Sequence, residues 1–243
     1  LAAKRVVLHL FAGEKADEWE ELKKYDCEVI TLDIMHNKSQ DLHNPVLWAF
    51  LMRLARQGTL AAIIGGPPCR TVSRLRFRRP GPRPLRDRGA HRFGLPNLSV
   101  AEQRLADHDA ALVIKQVGLY LATEEAKVEV GGPKGTTGFL LESPADPAKM
   151  VGDGGRMPSF WSWPEVLGLL EEESMGMVTL DQGAVGHSKK KPTSLLTNMP
   201  GMMELHGLRA RGDDEPLPDD LQASIQASKS WSLWAPGLRA AIK

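Results

Sequence analysis

The sequence predicts an α/β protein built on a mainly parallel sheet, and three observations carry that expectation. Apolar runs of strand length alternate with helix-patterned stretches, as βαβ units require. The runs are apolar at nearly every position rather than at alternate ones, the mark of strands covered on both faces. Each early run also stops at glycine, proline or aspartate, where a chain turns at the end of a strand.

Taken in order, residues 5–11 read as the first strand, ending at Ala12-Gly13. Residues 16–24 read as a helix with a polar face, and 27–33 as a second strand closing on Asp33. Residues 45–57 form an amphipathic helix that Gly58 stops, followed by a strand over 60–64 that Gly65-Gly66-Pro67-Pro68 breaks. Residues 70–92 are rich in Arg, Pro and Gly and lack periodicity, so they read as a long loop. A helix over 101–123 leads through a glycine-rich connection at 131–138 to a short strand at 139–141, which ends at Glu142-Ser143-Pro144. A helix at 164–173, a strand at 177–180, and a turn plus strand at 192–198 follow. Residues 207–220 read as a charged loop and 223–243 as one or two closing helices. Residues 1–198 are therefore expected to be the main domain, with 199–243 a short C-terminal extension that can complete it.

Composition bounds the function classes. A chain of 243 residues, 42% hydrophobic and 25% charged, reads as a soluble globular protein with a sizeable core. Cys27 and Cys69 are its only cysteines, which excludes a disulfide framework. No His/Cys set has zinc-site spacing, so no metal is expected. A reducing, intracellular setting follows, nuclear in a eukaryote. No apolar run approaches the roughly 20 residues of a membrane span, and no signal peptide is visible. The first residue is Leu1 rather than Met, which fits a piece of a larger protein with flanking domains. The net charge of +1 does not announce a nucleic-acid binder. Its distribution says more: Arg70, Arg74, Arg76, Arg78, Arg79, Arg83, Arg86, Arg88 and Arg92 share one stretch with Asp87 as its only acid.

Four features carry chemistry. Cys69 lies just past a strand's carboxyl end, where ligands bind in open α/β sheets, and Pro67 and Pro68 restrict the backbone that presents it. A thiolate is a strong nucleophile when positive neighbours lower its pKa, and Arg70 and Arg74 are placed to do so; the plainer alternative is a small buried hydrophobe. Glu142 follows its own strand and can share a proton with a base edge, or be an ordinary exposed acid. Asp33 lies twenty residues after Gly13, the offset at which an acid bonds ribose hydroxyls, although strand-end acids also cap helices. The glycines near Gly13 do not spell GxGxxG, which suits a nucleoside ligand without a pyrophosphate. Finally, the arginine stretch directly follows Cys69, which favours phosphate contacts over a merely solvated charge run.

The series Leu10-Phe11-Ala12-Gly13, Asp33, Asp41-Leu42, Gly66-Pro67-Pro68-Cys69 and Glu142-Ser143-Pro144 resembles the motif order of the cytosine-5 DNA methyltransferase family. The Pro-Pro-Cys element is its specific part, and the likeness runs from about Val6 to Pro144, more weakly to Asn198. With Lys191-Pro192-Thr193 and the Arg/Pro-rich stretch, the chain resembles a divergent branch associated with retroelement-like polyproteins of protists, of dinoflagellate type. The resemblance implies a Rossmann-like fold with helices on both faces of the sheet, binding S-adenosyl-L-methionine. It implies cofactor contacts at Leu10, Phe11, Ala12, Gly13, Asp33, Ile34, Asp41, Leu42 and Pro67, with Asp33 on the ribose and Asp41 on the adenine amino group. Cys69 would add to C6 of a flipped cytosine while Glu142 supports N3. Arg70, Ser73, Arg74, Arg76, Arg78, Arg79 and Lys191 would contact nucleic acid, DNA being favoured over RNA.

The sequence departs from the family in several places. His9 stands where the family has an acid, and Ser143 where it has Asn. No Gln-x-Arg-x-Arg element is present; Asp181-Gln182-Gly183 and Lys189-Lys190-Lys191 lie roughly there, with Lys191 the candidate substitute. The family's C-terminal Gly-Asn element is not recognisable, and little chain follows Asn198 for base readout. These departures motivate the alternative of a degenerate methyltransferase-fold module that binds nucleic acid without catalysis. An unrelated cysteine enzyme lacks a His and acid pair placed to activate Cys69.

Overall fold

The computed structural model describes residues 5–13, 19, 22, 26–78, 80–150, 154–210, 234, 238 and 241–242. Among them are six strands of one sheet: β1 (Arg5–Leu10), β2 (Cys27–Leu32), β3 (Leu60–Gly65), β4 (Gly138–Pro144), β5 (Gly176–Asp181) and β6 (Pro192–Thr197). Their order is β2-β1-β3-β4-β6-β5. β1 pairs in parallel with β2 and β3, and β3 with β4. β6 is the reversed strand, antiparallel to both β4 and β5. The architecture is α/β with a mostly parallel mixed sheet, as the alternating pattern implies.

Uniformly apolar strands make sense because both faces are covered. In β1, Leu8 and Leu10 point into one core with Leu51, Ile63, Val113, Val117, Phe139 and Leu141. Val7 points into the opposite core with Ile64, Leu140, Val178, Leu195 and Met202. Each such side chain contributes roughly 1.5–3 kcal/mol when fully buried. The first core is roofed by the helices α1 (Pro45–Arg56), α2 (Val100–Glu129) and α3 (Pro164–Leu170). The second is roofed by Trp19, the 3-10 turn Pro200–Leu205, and Leu238 and Ile242 from the C-terminal extension. The three described α-helices share the first face, and among the described residues the second face is covered by those few positions.

Local chemistry sets the helix ends. Asn44 caps α1 by accepting from Val46 N at 3.0 Å, Pro45 occupies its first turn, and Gly58 turns the chain out at φ +65°. Ser99 and Glu102 form a reciprocal capping box that starts α2. α2 runs well past the expected residue 123 because Glu124, Glu125, Ala126 and Lys127 favour helix and are tied down. The buried Glu124 carboxylate accepts the backbone N–H groups of Gly135 and Thr137, and Lys127 Nζ donates to Thr137 Oγ1 at 2.7 Å. The expected helix at 16–24 lies outside the described residues apart from Trp19 and Leu22. So does most of the expected loop at 207–220, and most of the closing helices at 223–243.

β4 is also longer than its apolar run. Its antiparallel ladder with β6 continues through Glu142↔Leu195 and Ser143↔Ser194 to Pro144↔Thr193. Glu142 therefore sits on the sheet rather than in a loop after it.

The chain leaves β1 for its neighbour β2, then passes back to β3 on β1's other side. That reversal is a topological switch point, the place beyond the carboxyl ends of β1 and β3 where open α/β sheets form a ligand-binding crevice.

Candidate active site at the carboxyl edge of the sheet

Beyond β3 the chain runs Gly66-Pro67-Pro68-Cys69 alongside the end of β4. Gly66 has a steric reason to be glycine: a Cβ there would lie 2.6 Å from Glu142 Oε2 and 3.2 Å from Trp234 Nε1. Its absence lets the carboxylate rest against the strand that delivers Cys69. Glu142 is 7% exposed. Its Oε1 accepts from Gln182 Nε2 at 3.2 Å and faces Lys191 Nζ at 3.5 Å, while Oε2 accepts from the Trp234 indole N–H at 3.3 Å.

The supports of this carboxylate are themselves fixed. Gln182 Nε2 also donates to Thr193 Oγ1 at 3.0 Å, and Thr193 Oγ1 donates to Lys191 O at 3.1 Å. Asp181 Oδ1 accepts from Gly183 N at 2.9 Å and Lys191 N at 2.7 Å, pinning the ends of β5 and β6 together. A buried charge costs free energy unless it is paired and hydrogen-bonded, and Glu142 has both kinds of partner.

Cys69 is half-buried and packs against the helix-side core. Burial pushes its thiol up to about 11; the negative charge of Glu142 pushes the same way and Lys191 opposes it. The cation that favours the thiolate is therefore Lys191, the residue expected to contact nucleic acid. Arg70 points elsewhere: it forks onto Asp109, with Nη2–Oδ1 at 2.9 Å and Nε at 3.2 Å from each oxygen. That Asp109 side chain is fully buried while Arg70 stays half-exposed.

At the end of β1, Phe11 takes a left-handed backbone with φ +57°. Such a conformation is uncommon for a bulky residue and concentrates at functional sites. Gly13 follows at φ +74°, and a Cβ built on it would meet nothing within 4 Å. Asp33 ties the two loops together: its Oδ2 accepts from Gly13 N at 2.8 Å and its Oδ1 from Met35 N at 2.7 Å. An ionised carboxylate has about four lone-pair positions, so acceptor capacity remains for a ligand hydroxyl. Open space at Gly13 beside such an acid fits a nucleoside. Leu10 and Leu42 are core residues, so their side chains face away from this crevice. Ile34 is exposed and Pro67 is buried. His9 accepts the Trp19 indole N–H on Nδ1 at 2.9 Å and lies 5.4 Å from the Trp234 ring.

The arginine stretch is an ordered loop whose acids come from distant segments. Arg83 pairs with Glu102, Arg88 forks onto Asp146 with both bonds at 2.6 Å, and Arg92 pairs with Glu165. Arg86 is buried, donates to Arg92 O and Ala106 O, and lies over Trp163. Burial pushes its pKa down to about 10. Arg76 staples the loop by donating to Arg70 O and to Arg83 O at 2.8 Å. Ser73 caps the 3-10 turn Arg74–Phe77 through Leu75 N at 3.2 Å. Arg78 is exposed, and Arg79 lies outside the described residues.

Sequence reasoning missed two contributors. Trp234 lies far along the chain from Glu142 with no motif around it. Gln182 was marked by position only, and its part in holding Glu142 depends on β5 and β6 meeting beside β4. Asp41 also acquires neighbours that its spacing does not reveal, since its carboxylate gathers with His43 and His108. Burial and then His108 push the His43 pKa below its ordinary value. No protein-family model and no curated protein matches the chain.

Proposed function

We propose that the chain transfers a methyl group to C5 of cytosine in nucleic acid, DNA favoured over RNA, through a covalent adduct at Cys69. The observation that carries this reading is the buried Glu142–Lys191 pair, both of whose charges act on the Cys69 thiol just beyond the carboxyl end of β3. S-adenosyl-L-methionine, the cofactor that the motif resemblance implies, would supply the methyl group as a sulfonium electrophile. Asp33 and the backbone from Phe11 to Gly13 would hold it, as their open, acid-lined arrangement allows.

The chain's own residues account for the rest. The Cys69 thiol would pass its proton to solvent as Sγ bonds to C6 of the base. The C5–C6 π pair moves toward C5 while N3 takes up a proton from solvent, and that N3–H donates to the Glu142 carboxylate. The pair at C5 then bonds the methyl group, whose former bonding pair stays on the departing thioether sulfur. Solvent removes the C5 proton, the pair left behind re-forms the C5–C6 double bond, and the C6–S bond breaks, Cys69 leaving as thiolate and N3 returning its proton to solvent. Lys191 stabilises the thiolate at both ends of this sequence, and Gln182 keeps Glu142 oriented. Each Glu142 oxygen accepts one hydrogen bond and keeps acceptor capacity for a base edge; the bond from Trp234 is the longer of the two and the one a base would displace most readily.

A second reading, a nucleic-acid-binding module without catalysis, is favoured by one observation: the thiol is pushed up to about 11, against the direction a nucleophile needs. Transfer of tritium from labelled S-adenosyl-L-methionine to cytosine-containing DNA and RNA oligonucleotides separates the two. Incorporation at C5 that Cys69→Ser abolishes supports the first reading. Oligonucleotide binding without incorporation supports the second.

A further inference from the structure

The chain brings a second set of chemically matched side chains together, away from Cys69. Asp41 and His43 lie in the connection between β2 and α1. His108 lies in the third turn of α2, sixty-five residues after His43. Each offers one ligand atom, and these atoms all lie within 4.8 Å of one another. The two imidazole rings lie tilted at 33° with centroids 4.1 Å apart. His108 Nδ1 is buried and has no hydrogen-bond partner.

We infer that Asp41, His43 and His108 bind a late first-row divalent cation, with zinc the best match. Two imidazoles and a carboxylate suit zinc, copper, nickel and iron rather than magnesium or calcium. Bonds of about 2.1 Å hold tetrahedral ligand atoms roughly 3.4 Å apart, so modest side-chain rotation closes the set around an ion. Three protein ligands leave a coordination position for water. Asp109 Oδ1 lies 3.4 Å from this same His108 Nδ1 and is held by the Arg70 fork, so a further fixed oxygen lines the site. Lys115, a cation whose charge reaches His43, rests its Nζ 3.8 Å over the Trp48 ring. A bound ion would clamp the β2–α1 connection to α2, and through Asp109 and Arg70 it would stiffen the chain next to Cys69.

The inference does not rest on the methyl-transfer reading; the two share only Asp41. The test is calorimetric titration of the full chain with zinc chloride, without nucleic acid or cofactor. The same titration is run on His43→Gln, His108→Gln and Cys69→Ser, each checked for folding by circular dichroism. The expected result is one ion per chain, weakened on the order of tenfold or more by either histidine change and unaffected by Cys69→Ser. Cobalt should give visible d–d bands without a thiolate charge-transfer band. Absence of binding by the parent chain, parent-like affinity in the folded histidine variants, or a thiolate band would each overturn it. Should a histidine variant not fold, Asp41→Asn and the cobalt spectrum of the parent still decide.

Discussion

Lys191 Nζ stands 3.5 Å from Glu142 Oε1, with side chains 10% and 9% exposed. Both charges act on the Cys69 thiol, in opposite directions. Glu142 lies on β4 and Lys191 immediately precedes β6, and the antiparallel run of β6 against β4 brings its start beside Glu142. The pair couples the candidate nucleophile to the candidate base-binding acid.

Alkylation of Cys69 by iodoacetamide should follow this coupling. The thiol has an ordinary value of 9.0 and is raised to about 11, so its reactive thiolate is scarce at neutral pH. The rate should climb about tenfold per pH unit from pH 7 to 10, as thiolate fraction dictates. Glu142→Gln removes the charge that disfavours thiolate and should speed the reaction. Lys191→Met removes the charge that favours it and should slow the reaction. A rate that levels off below pH 9, with Cys69 and Cys27 resolved by peptide mass, would contradict the picture.

The arginine loop should divide into structural and phosphate-contacting members. Arg78 is exposed, so Arg78→Gln should flatten the slope of log affinity against log salt by roughly 0.7–0.9 for its one contact. The loss should be similar for all oligonucleotides of one length. Arg76 holds two backbone carbonyls, so Arg76→Gln should also increase proteolytic cleavage within residues 70–92. An unchanged salt slope in Arg78→Gln would remove that residue from the interface.

Asp33→Ala should weaken S-adenosyl-L-methionine binding by about 1–3 kcal/mol, the range for losing a hydrogen bond to a charged group. Nucleic-acid affinity should barely change. Asp33 also anchors Gly13 N and Met35 N, so Asp33→Asn, which keeps one acceptor oxygen, should lose less. Calorimetry showing equal cofactor affinity in the parent and Asp33→Ala would exclude Asp33 from the site.

Trp234→Phe keeps an aromatic ring beside His9 but removes the N–H that Glu142 accepts. If a base must displace that bond, the variant should react faster with a cytosine analogue at subsaturating oligonucleotide. Slower reaction, with unchanged folding, would make the indole a support of Glu142 rather than a competitor.

Much of this arrangement is legible in the sequence because it is local. Val6 to Leu10 and Leu60 to Ile64 declare buried strands by composition, and Pro45 and Gly58 bound a helix by their backbone preferences. The carboxyl-edge positions of Gly13, Asp33 and Cys69 follow from the strands they terminate. What local pattern does not carry is pairing at a distance. The acids that answer the arginines, Glu102, Asp109, Asp146 and Glu165, lie on α2, at the end of β4 and on α3, so residues 70–92 look like a solvated charge run when read alone. The reversed direction of β6 is equally hidden, since an antiparallel strand buried on both faces has the same apolar run as a parallel one. With that direction goes the placement of Lys191, Thr193 and Gln182 around Glu142.

The most direct measurement of the central claim is covalent trapping on an oligonucleotide carrying 5-fluorocytosine, in the presence of S-adenosyl-L-methionine. Fluorine at C5 cannot leave as a proton, so a chain that attacks C6 and methylates C5 stalls as a stable adduct. The account predicts an adduct that survives denaturation, maps to the peptide containing Cys69, and is absent in Cys69→Ser. Failure to form any adduct, under conditions where oligonucleotide and cofactor both bind, would contradict it.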